Sequence, residues 1–201
     1  MSFHKYISII LHPIVIPTVG VMLYFLVIPN NYLKAQKFTI LSYVFILTYL
    51  IPLFMLIVLK RLKLVKSLKT ESIKERKLPV VLMICLFFVL GNSLNSIALL
   101  KDLSLLFYST AVGLIIIFLF FFFKLKLSIH LLSLGIPTGF FLVLTEKYDQ
   151  SYLLVIMIII LLAGLLASAR LNLKAHSSTE VYSGYFLGII SVFITYFFYS
   201  I

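Results

Sequence analysis

The chain has 201 residues, of which 63% are hydrophobic and only 11% are charged, and its mean hydropathy is +1.18. Soluble domains are about 45–50% apolar, so this composition excludes a water-soluble globular protein and indicates a chain that is solvated by lipid. The net charge of +11 would suggest nucleic acid as the partner of a soluble protein. Here the basic residues lie in short loops between apolar stretches, so we expect contact with a lipid bilayer and phosphate, and no nucleic acid.

Apolar stretches of about 20 residues are long enough to cross the hydrocarbon core of a membrane. Seven such stretches follow one another with short connections: 7–28, 39–59, 79–100, 104–123, 129–145, 151–169 and 179–200. Lipid-facing backbone must satisfy its own hydrogen bonds, and the stretches do not alternate as barrel strands do, so helices are favoured. The sequence therefore predicts an all-α, polytopic transmembrane helix bundle of about six to seven spans, forming a single domain over residues 1–201.

The basic residues are unevenly divided between the two ends of the predicted bundle. The amino terminus and the loops after the second, fourth and sixth spans share one end, the basic face. Thirteen of the seventeen basic residues fall there: Lys5, Lys60, Arg61, Lys63, Lys66, Lys69, Lys74, Arg76, Lys77, Lys124, Lys126, Arg170 and Lys174. The positive-inside rule predicts that this face is cytoplasmic, in a multi-pass protein of the plasma (inner) membrane. A phosphate-binding site would also place basic residues on this face, independently of the orientation of the protein, so the opposite orientation stays open.

Three polar clusters fall on the basic face, and their residue types suit a phosphoryl group. In chain order they contain Lys69 and Arg76, then Ser128 and His130, and then Arg170, His176 and Glu180. Lysine and arginine supply positive charge and several donors to phosphate oxygens, while a hydroxyl and the backbone N–H groups of a new helix add neutral donors. Two histidines can divide the chemistry, one attacking phosphorus and the other protonating the departing oxygen.

Glu180 lies four residues after His176. On a shared helical turn its carboxylate would accept the imidazole N–H and leave the other ring nitrogen as the nucleophile. The acidic residues Asp102, Glu146 and Asp149 belong to the opposite end of the bundle, which does not favour a carboxylate-bound two-metal site on the basic face. The predicted chemistry requires no metal and no other cofactor.

The spacing of these clusters resembles the type 2 phosphatidic acid phosphatase superfamily, whose signature is K-x6-R-P, then P-S-G-H, then S-R-x5-H-x3-D. This chain has Lys69-x6-Arg76, then "LSIH" over 127–130, then "ARLNLKAHSSTE" over 169–180. The resemblance covers residues 69–180. It implies a membrane-embedded hydrolase whose substrate is a lipid phosphate or diphosphate.

The resemblance also implies a role for each matching residue. His176 would form a phosphohistidine, Glu180 would orient it, and His130 would act as the acid and then activate water. The phosphate would be bound by Lys69, Arg76, Ser128 and Arg170. A non-catalytic lipid-phosphate binder or transporter that reuses the same residues is the alternative, and the identity of the lipid and the oligomeric state stay open.

The chain departs from the signature at several positions. Two residues separate Arg76 from Pro79, which we expect to open the third span, and Leu127 and Ala169 replace a proline and a serine. Ile129 stands where glycine lets the backbone approach phosphate closely, and Glu180 is one methylene longer than aspartate.

Small residues in the fifth and seventh spans predict how the second and third clusters meet. Gly135 and Gly139 share the spacing of Gly184 and Gly188, and glycines four residues apart allow close helix approach in lipid. We expect these spans to pack together and to bring His130 towards His176. The two other histidines, at positions 4 and 12, lie outside the clusters and receive no assigned role.

Overall fold

The computed structural model describes residues 3–67 and 72–199, and no strand occurs in these two ranges. The helices are α1 Phe3–Ile10, α2 Ile16–Val27, α3 Lys34–Phe45, α4 Ile51–Arg61, α5 Ile73–Asn95, α6 Lys101–Phe120, α7 Ile129–Tyr148, α8 Leu153–Asn172 and α9 Ser178–Tyr199. A π-helical turn, Ile46–Leu50, joins α3 and α4, and a 3-10 turn, Ala98–Leu100, leads into α6. The predicted all-α class is confirmed.

Within the described ranges, six continuous helices are long and apolar enough to cross a membrane, namely α3 joined to α4, and each of α5, α6, α7, α8 and α9. Of these, α6 and α7 are the most buried and form the centre of the bundle. Large apolar side chains such as Phe54, Leu161 and Phe197 point outward from the peripheral helices. An exposed apolar surface of this kind is suited to lipid, so the structure is that of a multi-pass membrane protein.

The first predicted span, 7–28, is not one helix, and the prediction of a continuous span there is wrong. It is divided into α1 and α2 by a short break. Pro13 lies in this break and Pro17 lies in the first turn of α2, and proline both lacks the N–H that a helix interior needs and clashes with the preceding turn. The segment still reaches the far end of the bundle, where the Tyr32 hydroxyl donates to the Leu99 carbonyl oxygen.

The predicted glycine contact between the fifth and seventh spans, α7 and α9, is confirmed. A Cβ atom added to Gly135 would lie 2.1 Å from the backbone oxygen of Tyr185. One added to Gly188 would lie 2.5 Å from the backbone oxygen of Leu132. Backbone meets backbone at these positions, so only glycine permits the approach.

Two helix boundaries differ from the sequence predictions and change the setting of the arginines. The prediction that Pro79 opens α5 is wrong, because the helix begins six residues earlier, after Ser72. The Ser72 hydroxyl accepts a hydrogen bond from the Glu75 amide at 3.3 Å, which caps the helix. Arg76 therefore lies within the first turns of α5, and Arg170 lies in the last turn of α8 instead of in the loop that follows it.

The end of the bundle opposite the basic face is held by a buried carboxylate. Asp102, in the first turn of α6, lies 2.5 Å from the Lys147 Nζ atom. It also accepts hydrogen bonds from the hydroxyl groups of Tyr24 (3.2 Å) and Tyr148. The carboxylate is therefore engaged in structure, at the end where the sequence places it.

Candidate functional site

A cavity of about 1100 Å³ opens on the basic face and extends between the helices. Its polar wall consists of side chains at helix ends on that face: Lys5, Ser8, His12, Arg76, Lys126, His130, Arg170, Lys174 and His176. Further along the same bundle the wall is apolar and includes Met55, Met83, Phe87, Leu106 and Ile136. A cationic opening that leads into an apolar interior suits a ligand with an anionic head and an apolar tail.

His176 and Glu180 form a hydrogen-bonded pair at the start of α9. The distance between His176 Nδ1 and Glu180 Oε2 is 2.5 Å, and the imidazole is buried. Ser177 caps the helix, since its hydroxyl accepts a hydrogen bond from the Glu180 amide at 3.3 Å. His176 therefore precedes the helix and Glu180 lies in its first turn, an arrangement that leaves Nε2 of His176 as the nitrogen not bound to the carboxylate.

The surroundings of His176 favour its neutral form. Burial lowers the pKa of His176 below its ordinary value of 6.5, and the positive charges of Arg76, Arg170 and Lys126 act in the same direction. The hydrogen bond to Glu180 opposes them by stabilising the imidazolium. The imidazole is therefore uncharged at neutral pH, which is the state that a nucleophile requires.

His130 is the second residue of α7 and lies on the same cavity wall as His176. Its Nε2 atom is buried and has no hydrogen-bond partner among residues 3–67 and 72–199. Arg170, Arg76 and His176 are all close enough for their charges to act on it. The two imidazoles and the two guanidinium groups thus share one compartment, as the spacing of the polar clusters predicts.

Three cationic side chains converge beside the histidines. Arg76 is buried and lies within electrostatic range of Arg170 and Glu180. Lys126 donates from Nζ to the carbonyl oxygen of Ala175 at 3.3 Å, directly before His176. Concentrated positive charge in a partly buried cavity attracts an anion with several oxygens.

Not every predicted site residue reaches the cavity. Ser128 is fully buried, is absent from the cavity wall and caps α7, where its hydroxyl accepts from the Leu131 amide at 3.5 Å. Its own amide donates to the backbone oxygen of Glu180 at 3.0 Å, which ties α7 to α9. The Ser128 hydroxyl therefore faces the end of α7 and not the cavity. Lys69 lies outside the described residues.

The amino-terminal segment supplies site residues that the sequence motifs do not include. Ser8 accepts a hydrogen bond from the Nη1 atom of Arg170 at 2.9 Å. The His12 ring lies 5.1 Å from the His130 ring, centroid to centroid, at an interplanar angle of 81°. Lys5 and Ser8 lie three residues apart on one face of α1, whereas His12 follows the helix. The spacing of Lys5 and Ser8, together with their position at the basic end, is the sequence signal that could have identified these two residues.

Among the described residues, no three His, Cys, Asp or Glu side chains lie together as metal ligands would. No family model, no curated protein and no solved structure matches the chain. The geometry of the cavity and the chemistry of its side chains are therefore the basis for assigning a function.

Proposed function

We propose that this protein is an integral-membrane phosphatase that removes phosphate from a lipid phosphate or diphosphate through a phosphohistidine intermediate, without a metal ion. The observation that supports this most directly is the buried His176, held by Glu180 at 2.5 Å, on the wall of a cavity where His130 and three of the lining cations lie beside it. A neutral imidazole, a second imidazole and a cationic pocket are the groups that phosphoryl transfer without metal requires.

The proposed reaction has two steps. In the first, Nε2 of His176 attacks phosphorus while the bond between phosphorus and the lipid oxygen breaks, and His130 donates a proton to that oxygen. In the second, His130 takes a proton from water, the resulting hydroxide attacks phosphorus, and the P–N bond breaks to release phosphate. Arg76, Arg170 and Lys126 offset the negative charge on the phosphoryl oxygens. Glu180 keeps the proton on Nδ1 and stabilises the positive charge that forms on the ring.

The apolar part of the cavity would hold the lipid tail. Met83 and Phe87 lie further along α5 than Arg76, so a ligand whose head meets the cations would extend its tail between the helices. A lipid substrate reaches such a site from the surrounding bilayer. We place the site at the cytoplasmic surface of the plasma (inner) membrane, on the basis of the excess of basic residues on the basic face.

Phosphate release by the purified protein in detergent tests this function. A panel of lipid phosphates and diphosphates is supplied without added metal, and the His176→Ala variant is compared with wild type. His4→Ala is the matched control, because His4 does not line the cavity. We expect release from at least one lipid by wild type and by the control, and none above background by His176→Ala. Release by His176→Ala at the wild-type rate would disprove the mechanism.

One observation favours a second candidate, a non-catalytic lipid-phosphate binder or transporter. Ile129 lines the cavity at the position where the phosphatase signature has glycine, and its side chain restricts the approach of the backbone to phosphate. Tight binding of one lipid phosphate with no release of phosphate from any member of the panel would favour this candidate over the phosphatase.

A further inference from the structure

The broken amino-terminal segment is docked against the cavity. Lys5, Ser8 and His12 all line its wall, and Ser8 is bonded to Arg170 at 2.9 Å. The break at Pro13 ends α1 just before the chain turns into α2. His12 lies in this break, and its ring contacts the ring of His130.

A backbone contact determines which nitrogen of His12 carries the proton. The Ile14 amide donates a hydrogen bond to Nδ1 of His12 at 3.3 Å. A ring nitrogen that accepts a hydrogen bond is unprotonated, so the proton of the neutral ring resides on Nε2. If Nδ1 were protonated as well, its N–H would point at the N–H of Ile14, and the two donors would repel each other. The turn at Pro13 therefore favours the neutral ring that has Nε2–H as its donor.

The surroundings of His12 are suited to a phosphate ligand. The His12 and His130 rings form a T-shaped pair with centroids 5.1 Å apart, and both residues line the cavity. Arg170 lies close enough to act electrostatically on His12. The three cations already supply positive charge, and a neutral N–H adds a directed hydrogen bond to an oxygen without adding repulsion between cations.

We propose that His12 is a third histidine of the site, which donates its Nε2–H to an oxygen of the bound phosphate group. The inference builds on the proposed function in that the ligand is a phosphate, whether free or on a lipid. It adds a binding residue from a part of the chain that none of the three polar clusters includes.

Two substitutions separate the donor from the shape of the ring. His12→Phe keeps an aromatic ring and removes the donor, whereas His12→Gln removes the ring and keeps an amide donor. The matched control is His4→Phe, in α1 of the same amino-terminal segment. Binding of inorganic phosphate and of phosphatidic acid is measured by calorimetry in detergent. Circular dichroism confirms that each variant is folded.

We expect His12→Phe to weaken the binding of both ligands by roughly ten- to a hundredfold, the range for one hydrogen bond to a charged acceptor. His12→Gln should retain most of the affinity, and His4→Phe should bind as wild type does. Wild-type affinity in His12→Phe, or an equal loss in His12→Gln and His12→Phe, would overturn the inference. An equal loss in His4→Phe would also overturn it, since the effect would then belong to α1 as a whole. Weaker binding of phosphatidic acid alone would overturn the assignment to the phosphate group.

The same samples separate this inference from the proposed function. Phosphate release from phosphatidic acid and the other lipids is measured in parallel with binding. If wild-type protein binds phosphate but releases none from any lipid, the proposed phosphatase activity is contradicted. The binding affinities of the His12 variants still decide the role of His12. Wild-type protein that binds neither ligand contradicts both proposals.

Discussion

Replacing Gly135 by alanine tests the helix contact that brings the two halves of the site together. The new Cβ atom would lie 2.1 Å from the backbone oxygen of Tyr185, and ordinary contact begins at 3.4 Å, so α7 and α9 must separate by about 1.3 Å. The obstructing atom belongs to a helix backbone and cannot turn aside as a side chain would. Overpacking of this kind costs about 1–3 kcal/mol.

The same displacement should reduce activity. His130 lies at the start of α7, while His176 and Glu180 lie at the start of α9, so separating the two helices moves the proposed acid away from the nucleophile. A misplacement of about 1 Å can lower a rate by roughly 10²-fold. We therefore expect Gly135→Ala to lose stability and phosphate release together.

Gly164→Ala is the matched control for this prediction. Gly164 lies in α8, and a Cβ atom added there meets nothing within 4 Å. Alanine is also the better helix former, so this variant should unfold at the wild-type temperature or slightly above it. Thermal unfolding in detergent, followed by circular dichroism, compares the two variants directly. Equal unfolding temperatures for Gly135→Ala and Gly164→Ala would refute the close contact between α7 and α9.

Three further predictions concern the site and the opposite end of the bundle. Glu180→Gln should lower kcat by roughly 10²–10³-fold, because glutamine cannot offset the positive charge that forms on His176. An unchanged kcat in a steady-state assay would contradict a catalytic role for the His176–Glu180 pair. Because burial lowers the pKa of His176, the acidic limb of wild-type kcat/KM, where this ring becomes protonated, should lie at a pH below 6.5. Because the hydrogen bond to Glu180 raises the pKa of His176, Glu180→Gln should move this acidic limb to still lower pH. An acidic limb at the same pH in both proteins would contradict the assignment of the limb to His176. Asp102→Asn should cost about 1–3 kcal/mol of stability in thermal unfolding, because Lys147 and Tyr24 lose a buried charged acceptor. Phosphate binding should stay unchanged in this variant, and weaker binding would show that the two ends of the bundle are coupled.

The helical class follows from the sequence because long apolar stretches in lipid leave the backbone no other partner than itself. The exact spans do not follow as directly. The stretch 7–28 is long and apolar enough to be predicted as one span. Pro13 breaks the backbone hydrogen bonding within it, so two short helices form instead of one long one. At Pro79 the opposite happens, because the Ser72 cap starts the helix earlier and the proline is accommodated inside it.

The polar clusters were the better guide to the site. Their order and spacing predict that Arg76, His130, Arg170 and His176 gather at one end, and the structure brings these four side chains to one cavity. Spacing could not show where the Ser128 hydroxyl points, because a serine before a helix can either cap it or face a ligand.

His12 was missed for a different reason. It lies more than a hundred residues before the next histidine of the site, in the break between α1 and α2, and its ring packs against that of His130. Contacts of this kind are set by tertiary packing and leave no local spacing pattern in the sequence.

Transient phosphorylation of His176 is the direct test of the proposed phosphohistidine intermediate. An aryl phosphate is mixed with wild type, His130→Ala and His176→Ala in detergent, because its leaving group departs without protonation and only the later water step then needs His130. We expect His130→Ala to release the aryl alcohol in a burst and to accumulate phosphate on His176, which mass spectrometry of the base-quenched protein would detect. In His176→Ala we expect neither burst nor label. Phosphate release by wild type together with an unlabelled His176 in His130→Ala, or a burst that persists in His176→Ala, would contradict the proposed intermediate.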